Sequence, residues 1–412
     1  MSHLSRRTLL SGLTAAALTA PLAACQRSTG TAATEFFQFK SEAIGLFDSI
    51  CAAYNAQHGT NVVQNFQADN VTALRVRLVK GSIPPLITIN GDFNFGSLAR
   101  SGVFYDFSTS DLLAPVNPSI SPILPTLGAG GKGQVNGLPF ANNGSGIIYN
   151  REIFDAHSLQ PPTTWDELIG IADELQGKGV DPFYWGFRDS WTGAPMFNSI
   201  SGNHLGGKVA EWYQRRRTMQ TSFEELVPVL EKMRQLSQYG NRTKLDIGYN
   251  DGNQGFAQGR AAMYCHGTYA IPAIRSYNPD IQIGTFATPS ESGRPWVVSG
   301  VDVALVCGTE PVPGALDFFS FLMAEQNMAS YCSEQVAFPT RTGLVNDDPA
   351  LAGLVPYFTE GRLTTYSDHN FPQGVNLNNH LQQFLITGDT AALVRTLDTQ
   401  YNRVVERLNS TL

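Results

Sequence analysis

The spacing of apolar and polar residues changes repeatedly along the chain between a pattern typical of strands and one typical of helices. Short runs rich in aromatic and β-branched residues predict strands at residues 35–39, 61–67 and 86–90. Between these runs, apolar residues recur at three- and four-residue intervals, which predicts amphipathic helices over residues 44–54 and 71–80. Strands that alternate with helices in this way predict an α/β fold with mainly parallel sheets flanked by helices.

The loops that follow the predicted strands are the expected place for a ligand. In open α/β sheets, ligands bind beyond the carboxyl ends of the strands. The pattern therefore points to residues 40–42, 67–70 and 90–95.

A stretch at residues 134–150 predicts a passage between two parts of the protein. It contains a small polar run, residues 141–146, between extended segments at 137–140 and 147–149. Such a run is not expected in a buried helix or a central strand. We therefore interpret it as a polar joint where the chain leaves one lobe and enters another. The alternative, from these residues alone, is an ordinary surface loop between strands.

Two helix signals stand out in the second half of the chain. Thr164 and Glu167 have the spacing of a capping box, which predicts a helix that begins there and runs to Leu175. Trp165, in the first turn of that helix, is interpreted as a packing residue. Residues 223–239 predict a long helix with a kink at Pro228.

The first 24 residues have the features of an export signal. Arg6 and Arg7 are the paired arginines of a twin-arginine signal, and a short apolar core follows them. Cys25 follows small residues that resemble a bacterial lipobox, and residues 25–34 are expected to form a linker. We therefore expect cleavage after residue 24 and a lipid anchor on Cys25 at the outer face of the cytoplasmic membrane. The alternative is that Cys25 is an incidental cysteine near a cleavage site.

Length and charge narrow the class of protein. With 412 residues, 42% of them hydrophobic, the chain is long enough for two domains with separate cores. Its formal net charge is −7, and cleavage before Cys25 would remove Arg6 and Arg7 and no acid, which gives −9. A protein this acidic is not expected to bind nucleic acid.

The cysteines beyond residue 25 form no CxxC pair, which argues against zinc and thioredoxin-like sites. Cys51 and Cys307 lie in apolar segments and are interpreted as core thiols. No disulfide is assigned among Cys51, Cys265, Cys307 and Cys332.

The sequence offers no recognisable catalytic constellation. It contains neither HExxH nor GxSxG, and its seven histidines lack metal-ligand spacing. The glycine-rich residues 128–133 lack the Ser or Thr that follows the lysine of a phosphate-binding loop, so we interpret them as an ordinary loop. We therefore expect no enzyme activity, no metal and no cofactor.

Several motifs together resemble one family of proteins. The segments that carry the resemblance are GLPF at 137–140, YNREIF at 149–154, PPTTWDEL at 161–168, GFAQGRAAM at 255–263, the region 283–306 and FPTR at 338–341. In this order they resemble the family 1 extracellular solute-binding proteins of ABC importers, the maltose-binding-protein-like group. The pattern departs from the family at Tyr269, where Trp is usual, and at Ser299-Gly300, where a Gly-Gly pair is common.

The resemblance implies a two-lobed periplasmic binding protein type II fold with hinge crossings. Lobe 1 would comprise residues 35–140 plus 295–325, and lobe 2 would comprise residues 145–290 plus 326–412. The implied function is capture of a mono- or oligosaccharide between the lobes by a protein expected to be a monomer, followed by delivery to ABC permease subunits. Two alternatives stay open: an exported glycan-processing enzyme, and the same fold binding a polyamine, a glycerophosphodiester or another small solute.

Aromatic, carboxylate, amide and guanidinium side chains in the expected cleft loops are the candidate ligand contacts, because sugars present apolar ring faces and hydroxyl edges. These candidates are Glu42, Asp92, Phe93, Asn142, Asn143, Trp185, Trp191, Tyr269, Trp296, Asp302 and Arg341. Structural roles are the alternative for several of them: packing for Phe93 and Trp185, a local cap or pair for Asp302, and an ion pair for Arg341.

Overall fold

The structure is a computed structural model that describes residues 32–372 and 374–410, without the side chains of residues 409 and 410. The proposed signal peptide, Arg6, Arg7, Cys25 and most of the proposed linker lie outside these described residues. The strands are β1 Thr34–Gln38, β2 Val62–Phe66, β3 Leu86–Ile89, β4 Leu138–Ser145, β5 Ile147–Asn150, β6 Asp181–Phe183, β7 Ala261–Tyr264, β8 Ile283–Phe286, β9 Val297–Val306, β10 Phe338–Pro339 and β11 Leu363–Thr364.

The helices are numbered separately from the strands. They are α1 Ile44–His58, α2 Asn70–Val79, α3 Phe93–Arg100, α4 Ile123–Leu127, α5 Arg151–Ala156, α6 Trp165–Gly177, α7 Ala194–His204, α8 Val209–Arg217, α9 Val227–Leu236, α10 Tyr249–Ala257, α11 Ile271–Tyr277, α12 Ala315–Met323, α13 Glu325–Gln335, α14 Val355–Thr359, α15 Leu377–Thr387 and α16 Thr390–Ser410. Within the described part of the chain, none of them is long and apolar enough to cross a membrane.

The strands form two sheets. The first has the order β10-β4-β9-β3-β1-β2, with β11 also paired to β9, and the second has the order β6-β7-β5-β8. The α/β class and the predicted strand–helix alternation from β1 to β3 are confirmed, since β1 runs parallel to both β2 and β3.

The sheets contain more antiparallel strand pairs than the mainly parallel arrangement that the sequence predicted. In the first sheet β9 is antiparallel to both β3 and β4, and in the second β5 is antiparallel to both β7 and β8. Parallel neighbours need a long crossover connection, usually a helix. The strands β4 and β5 instead follow each other directly, with only Gly146 between them, so a simple alternation rule does not describe them.

The polar run at residues 141–146 corrects one prediction. It was not expected to form a central strand, yet most of it belongs to β4, which is buried along its whole length between β9 and β10. Two of its polar groups find partners there: Asn142 Nδ2 donates to Ser299 Oγ at 3.1 Å, and the Asn143 backbone carbonyl accepts from Ser299 Oγ at 2.8 Å. These bonds offset part of the cost of burial, while Asn142 Oδ1 has no hydrogen-bond partner among the described residues.

Gly146 is the point where the chain passes from the first sheet to the second. A Cβ atom on this residue would lie 2.4 Å from the Phe286 carbonyl oxygen, so the close passage requires glycine. The structure therefore has a direct strand-to-strand passage where the sequence predicted a joint.

Each sheet carries apolar side chains that the sequence pattern anticipated. Phe47, Cys51 and Tyr54 on α1 are buried against the first sheet. Cys307 belongs to the same core, which confirms the interpretation of Cys51 and Cys307 as core thiols. Within the described residues, Cys51, Cys265, Cys307 and Cys332 are unpaired and buried.

The capping box is confirmed, and the kinked helix is not. Thr164 Oγ1 accepts a hydrogen bond from the Glu167 amide at 3.3 Å, and Glu167 Oε2 accepts one from the Thr164 amide at 3.0 Å. Trp165 is buried and its indole donates to Gln235 Oε1 at 3.1 Å, in keeping with a packing role.

Pro228 lies in the first turn of α9, after a 3-10 turn. Proline is tolerated there because the first amides of a helix have no intrahelical partner, so it starts a helix rather than kinking one.

Candidate ligand-binding cavity

A cavity of about 260 Å³ lies where the ends of β1 and β3 and the middle of β9 face the elements around the second sheet. We call it the inner cavity. Its lining residues are Phe39, Lys40, Glu42, Asn90, Asn143, Trp191, Ala194, Pro195, Asn198, Tyr249, Tyr269, Asp302, Tyr366, Asp368 and His369. Five of the predicted contact residues are among them: Glu42, Asn143, Trp191, Tyr269 and Asp302.

The side of the cavity formed by the first sheet is rich in charge and amides, and we call it the polar wall. It consists of Lys40, Glu42, Asn90, Asn143 and Asp302. Lys40 Nζ lies 2.7 Å from Asp302 Oδ2 and 3.1 Å from Glu42 Oε1. The Lys40 backbone amide donates to Gln38 Oε1 at 2.6 Å, which fixes the turn after β1. The lysine is thus clamped between two carboxylates.

Electrostatics keep Lys40 and Glu42 charged. Burial alone would lower the pKa of Lys40, but the carboxylates of Asp302 and Glu42 outweigh burial and hold its pKa above the usual value. Burial would raise the pKa of Glu42, but Lys40 outweighs it and lowers that pKa. The polar wall therefore presents fixed charges to the cavity at neutral pH.

Asn143 is joined to an aromatic residue from a distant part of the chain. Tyr366 Oη donates to Asn143 Oδ1 at 2.8 Å and lies 2.7 Å from Ser145 Oγ. A Cβ atom on Gly300 would lie 2.7 Å from the Tyr366 ring, so glycine at this position of β9 lets the ring lie across the strand. The irregular register between β4 and β9 just before Asn143 is a bulge of the kind that re-aims side chains beside binding sites.

The opposite side of the cavity is mainly aromatic, and we call it the aromatic wall. It consists of Trp191, Tyr249 and Tyr269, whereas Tyr366 lies across β9 beside the polar wall. The centres of the Trp191 and Tyr249 rings are 4.8 Å apart, and those of Trp191 and Tyr269 are 6.5 Å apart. Burial raises the pKa of Tyr249 to about 12, so its hydroxyl stays neutral and can both donate and accept hydrogen bonds.

His266 supports the aromatic wall from behind. Its ring centre lies 4.4 Å from that of Tyr264, 5.7 Å from that of Trp191 and 5.6 Å from that of Tyr249. Burial lowers the pKa of His266 to about 3, because the charged imidazole loses its hydration among these rings. His266 is therefore neutral at any pH at which the protein is expected to work.

Two predicted residues, Asp92 and Phe93, lie beside the inner cavity rather than in it. Asp92 caps α3, since its Oδ1 accepts from the amides of Asn94 at 2.8 Å and Phe95 at 3.1 Å. Asp92 and Phe93 line an adjacent groove of about 760 Å³.

The remaining predicted residues have structural roles away from the inner cavity. Asn142 is fully buried and bonded to Ser299. Trp185 is also buried: its indole donates to the Tyr239 carbonyl at 2.6 Å and its ring stacks on Phe183 and Phe187, which is the packing alternative considered from the sequence.

Trp296 and Arg341 also lie elsewhere. The Trp296 ring covers Gly207, and its backbone amide donates to Asn203 Oδ1 at 2.8 Å. Arg341 lines a separate cavity, with its Nε 3.7 Å from Glu325 Oε2. The ion-pair alternative therefore describes Arg341.

Sequence reasoning missed several lining residues. Lys40 and Asn90 lie in loops that follow predicted strands, so the only sequence signal for them was their position in an expected ligand-binding loop. Tyr249 begins α10, and Asn198 lies within α7. Tyr366 had no local signal, because its role depends on contacts with β4 and β9 that lie far away in sequence.

Among the residues that the structure describes, no group of three or more His, Cys, Asp and Glu side chains is arranged to hold a metal ion. What the arrangement offers is a set of ring faces opposite hydrogen-bonding groups, which suits a ligand with apolar faces and a rim of hydroxyls.

Comparison with known proteins agrees with this geometry. Residues 49–353 match the family model described as bacterial extracellular solute-binding protein. The chain is 26% identical over 327 residues to a multiple sugar-binding protein of Streptococcus mutans, covering 75% of this chain and 77% of the relative. It is 22% identical over 343 residues to a melibiose/raffinose/stachyose-binding protein of Bacillus subtilis, covering 80% and 78%.

A solved structure supports the fold. The solute-binding protein RafE of Streptococcus pneumoniae, determined in complex with raffinose, superposes with a TM-score of 0.77 at 23% sequence identity. The match covers 90% of this chain and 99% of RafE. At this level of identity the likeness establishes the two-lobed fold.

Proposed function

The chain belongs to the bacterial extracellular solute-binding protein family, and from this membership we propose that it is the sugar-binding component of an ABC importer. It would capture a mono- or oligosaccharide in the inner cavity and deliver it to permease subunits. The observation that carries the proposal is the aromatic wall facing the polar wall across one cavity. The Streptococcus mutans and Bacillus subtilis relatives are both sugar-binding proteins, which agrees with it.

Sugar chemistry fits the two walls. Pyranose rings have apolar faces that pack on aromatic rings, and Trp191 and Tyr249 offer such surfaces side by side. Ring hydroxyls both donate and accept hydrogen bonds, so they can use carboxylates, amides and the Lys40 ammonium. A ligand that uses both sets of groups touches the elements of both sheets at once.

The charge of the cavity favours a neutral ligand over a polyamine. Two of the three lining carboxylates, those of Asp302 and Glu42, already share Lys40. A polycation would have to compete with that lysine for the same oxygens. An anion such as a glycerophosphodiester would meet Glu42, Asp302 and Asp368, which repel it.

The proposed mechanism is closure of two lobes around the ligand, with lobe 1 at residues 35–140 plus 295–325 and lobe 2 at residues 145–290 plus 326–412. A ligand that contacts both lobes binds the closed form better and shifts the population toward it. We assign no catalytic residue, and the sugar is released unchanged.

The family implies an exported protein. We propose further that the twin-arginine signal directs export and that lipidation of Cys25 attaches the protein, as a monomer, to the outer face of the cytoplasmic membrane. Replacing Cys25 with Ala should abolish incorporation of radiolabelled lipid and release the protein from the membrane fraction. Unchanged labelling of that variant would refute the anchor.

A binding screen tests the proposed function. The purified protein is titrated calorimetrically with galactose, melibiose, raffinose, stachyose and malto-oligosaccharides, with spermidine and glycerophosphocholine as non-sugar probes. We expect saturable binding of at least one sugar at one molecule per chain, recovery of that sugar intact, and a smaller radius of gyration in its presence. Release of shorter products would indicate a glycan-processing enzyme, and binding of spermidine or glycerophosphocholine alone would indicate a different solute.

A further inference from the structure

Asn253 is a fully buried asparagine that lies behind the aromatic wall. It belongs to α10, does not line the inner cavity, and its side chain has no exposed surface. Among the described residues, neither its Oδ1 nor its Nδ2 makes a hydrogen bond of normal geometry. An unpaired buried amide lowers stability, whereas an apolar side chain of the same size would not. Packing alone therefore does not account for an amide at this position.

The surroundings of α10 hold Asn253 in place. Glycines lie on both sides of it, and tyrosine rings fill the space that they leave. A Cβ atom on Gly252 would lie 2.8 Å from Tyr264 Oη, and one on Gly255 would collide with the Tyr184 ring. Glycine inside a helix is unfavourable relative to alanine, so these two positions give up helix stability and allow α10 to approach the rings. The Asn253 side chain consequently has little freedom to turn away.

The Asn253 amide faces the hydroxyl of Tyr249, four residues earlier on α10. Residues four apart share one face of a helix, and helical side chains point back toward the amino terminus, so Asn253 reaches toward Tyr249. Burial raises the pKa of Tyr249, and Asn253 acts in the opposite direction. An N–H group beside a phenolic oxygen has this effect because it stabilises the charged form. Nδ2 is therefore the amide atom that faces Tyr249 Oη.

The other contacts of Tyr249 fix its ring but not the direction of its hydroxyl proton. Its backbone amide donates to Asp189 Oδ2 at 2.7 Å, and its ring centre lies 4.8 Å from that of Trp191. The charges of Glu42 and Lys40 act on the pKa of Tyr249, so its hydroxyl lies on the side of the polar wall. A phenol can donate or accept, and what it offers to a ligand depends on where its proton points.

Resting on the proposed function, we propose that Asn253 is a positioning residue for sugar binding that does not touch the sugar. Its Nδ2 donates to Tyr249 Oη, and the hydroxyl proton of Tyr249 is thereby directed into the inner cavity. Tyr249 then acts as a donor toward the ligand, and the ligand atom that it contacts is an acceptor oxygen. Without the amide the hydroxyl can turn either way, and part of the binding free energy is lost in orienting it.

Asn253→Leu is the first test, since leucine has a similar size and no polar atoms. The ligand is the sugar that the wild type binds most tightly in the screen. Kd should rise roughly tenfold, as expected for the loss of one hydrogen bond. The free energy of unfolding should stay level or increase, because an unpaired buried amide is removed. Unchanged Kd with lower stability would show that the amide has a structural role only, and would overturn the proposal.

A double-variant cycle with Tyr249→Phe tests the route by which Asn253 acts. Phenylalanine keeps the ring and removes the hydroxyl. If Asn253 acts through that hydroxyl, its replacement has nothing left to change once the hydroxyl is gone. We expect the double variant to bind the sugar within about twofold of Tyr249→Phe alone. Losses that add fully in the double variant would overturn the proposal, because Asn253 would then act by another route.

Asn250→Leu is the matched control. Asn250 lies on the same helix, is exposed and does not line the inner cavity, so Kd and the free energy of unfolding should both stay unchanged. Asn253→Ala repeats the cycle if leucine does not fit the space, because it removes the same amide without adding branches. A wild-type protein that binds no sugar would overturn the proposed function as well, whereas sugar binding with additive losses would overturn only the role of Asn253.

Discussion

The two walls of the inner cavity face each other but are built in different ways. The polar wall comes from strand ends and strand interiors of the first sheet, and its charges are fixed by each other: Lys40 lies between Asp302 and Glu42. The aromatic wall comes from turns and helix starts, and ring packing positions it. Changes in the polar wall should therefore appear first in stability, and changes in the aromatic wall should appear first in ligand affinity.

The largest effect is expected at Asp302. Its carboxylate is 2.7 Å from Lys40 Nζ, and both side chains are nearly buried. Asp302→Ala leaves the lysine charge with only the more exposed Glu42, and loss of one partner from a buried ion pair typically costs about 3–5 kcal/mol. Urea unfolding should show a reduction of this size in the free energy of unfolding, together with weaker sugar binding.

A double variant sharpens this result. Lys40→Met combined with Asp302→Leu removes both charges of the more buried pair and leaves Glu42, whose side chain is 36% exposed and can be hydrated. Replacement of a buried pair by apolar residues is often neutral for stability. We expect the double variant to recover most of the stability that Asp302→Ala loses, while sugar affinity stays low. If single and double variants were equally unstable, the ion pair would not be what stabilises the polar wall.

The next largest effect is expected at Trp191, on the aromatic wall. Trp191→Ala removes a ring face from the cavity and should weaken sugar binding by about 2 kcal/mol, or roughly 30-fold in Kd. Because the side chain is only partly buried, the loss in unfolding free energy should be smaller than the loss for Asp302→Ala. Calorimetric titration and urea unfolding measure the two quantities on the same samples.

Trp191→Phe is the matched control, since it keeps an aromatic face with less area. It should recover most of the affinity. A Trp191→Ala protein with unchanged affinity but much reduced stability would contradict the expectation that changes in the aromatic wall affect ligand affinity first.

The contrast also explains what the sequence revealed and what it did not. Local patterns predicted β1, α1, β2, α2 and β3, and the capping box at Thr164, because the information for these elements lies within a few residues. Glu42 followed from the position of a strand end, and Trp191 and Tyr269 from aromatic residues in turns. These predictions needed only local spacing and a general rule about α/β sheets.

Residues whose position depends on distant partners could not be located from the sequence. The buried strand β4 looked like a loop because Asn142 Nδ2 and the Asn143 carbonyl bond to Ser299, more than a hundred residues away. Tyr366 enters the cavity only because Gly300 leaves room for its ring. Trp185 and Arg341 have the right chemistry for a sugar site, but packing places them elsewhere. Composition cannot distinguish these cases, since tertiary contacts decide them.

A pH effect of intermediate size is expected from His266, behind the aromatic wall. Its pKa is about 3 in the folded protein and ~6.5 when unfolded. Between these values the unfolded state binds a proton that the folded state does not, so stability falls as pH falls from 6.5 toward 3, by at most about 1.4 kcal/mol per pH unit. The rings that face His266 are those of Trp191, Tyr249, Tyr264 and Tyr269, and none of them titrates in this range.

Urea unfolding at pH 7 and pH 5 measures this slope, and His266→Phe provides the comparison. The variant should lose less stability between these two pH values than the wild type does, because phenylalanine takes up no proton. Equal pH dependence in the two proteins would show that other groups cause the slope.

The smallest effect is expected at Thr164, which lies on neither wall. Its hydroxyl caps α6 by accepting from the Glu167 amide at 3.3 Å, and loss of such a cap costs about 1 kcal/mol. Thr164→Ala should therefore lower the free energy of unfolding by that amount and leave sugar affinity unchanged. Thr359→Ala is the control, because this exposed hydroxyl bonds only to the carbonyl of Val355 in its own helix, and its removal should change stability by less than ~0.5 kcal/mol. Suppose that Thr164→Ala weakened sugar binding in proportion to its loss of unfolding free energy. Destabilisation of the fold would then be enough to lower affinity, and the weaker binding of Trp191→Ala would no longer identify Trp191 as a ligand contact.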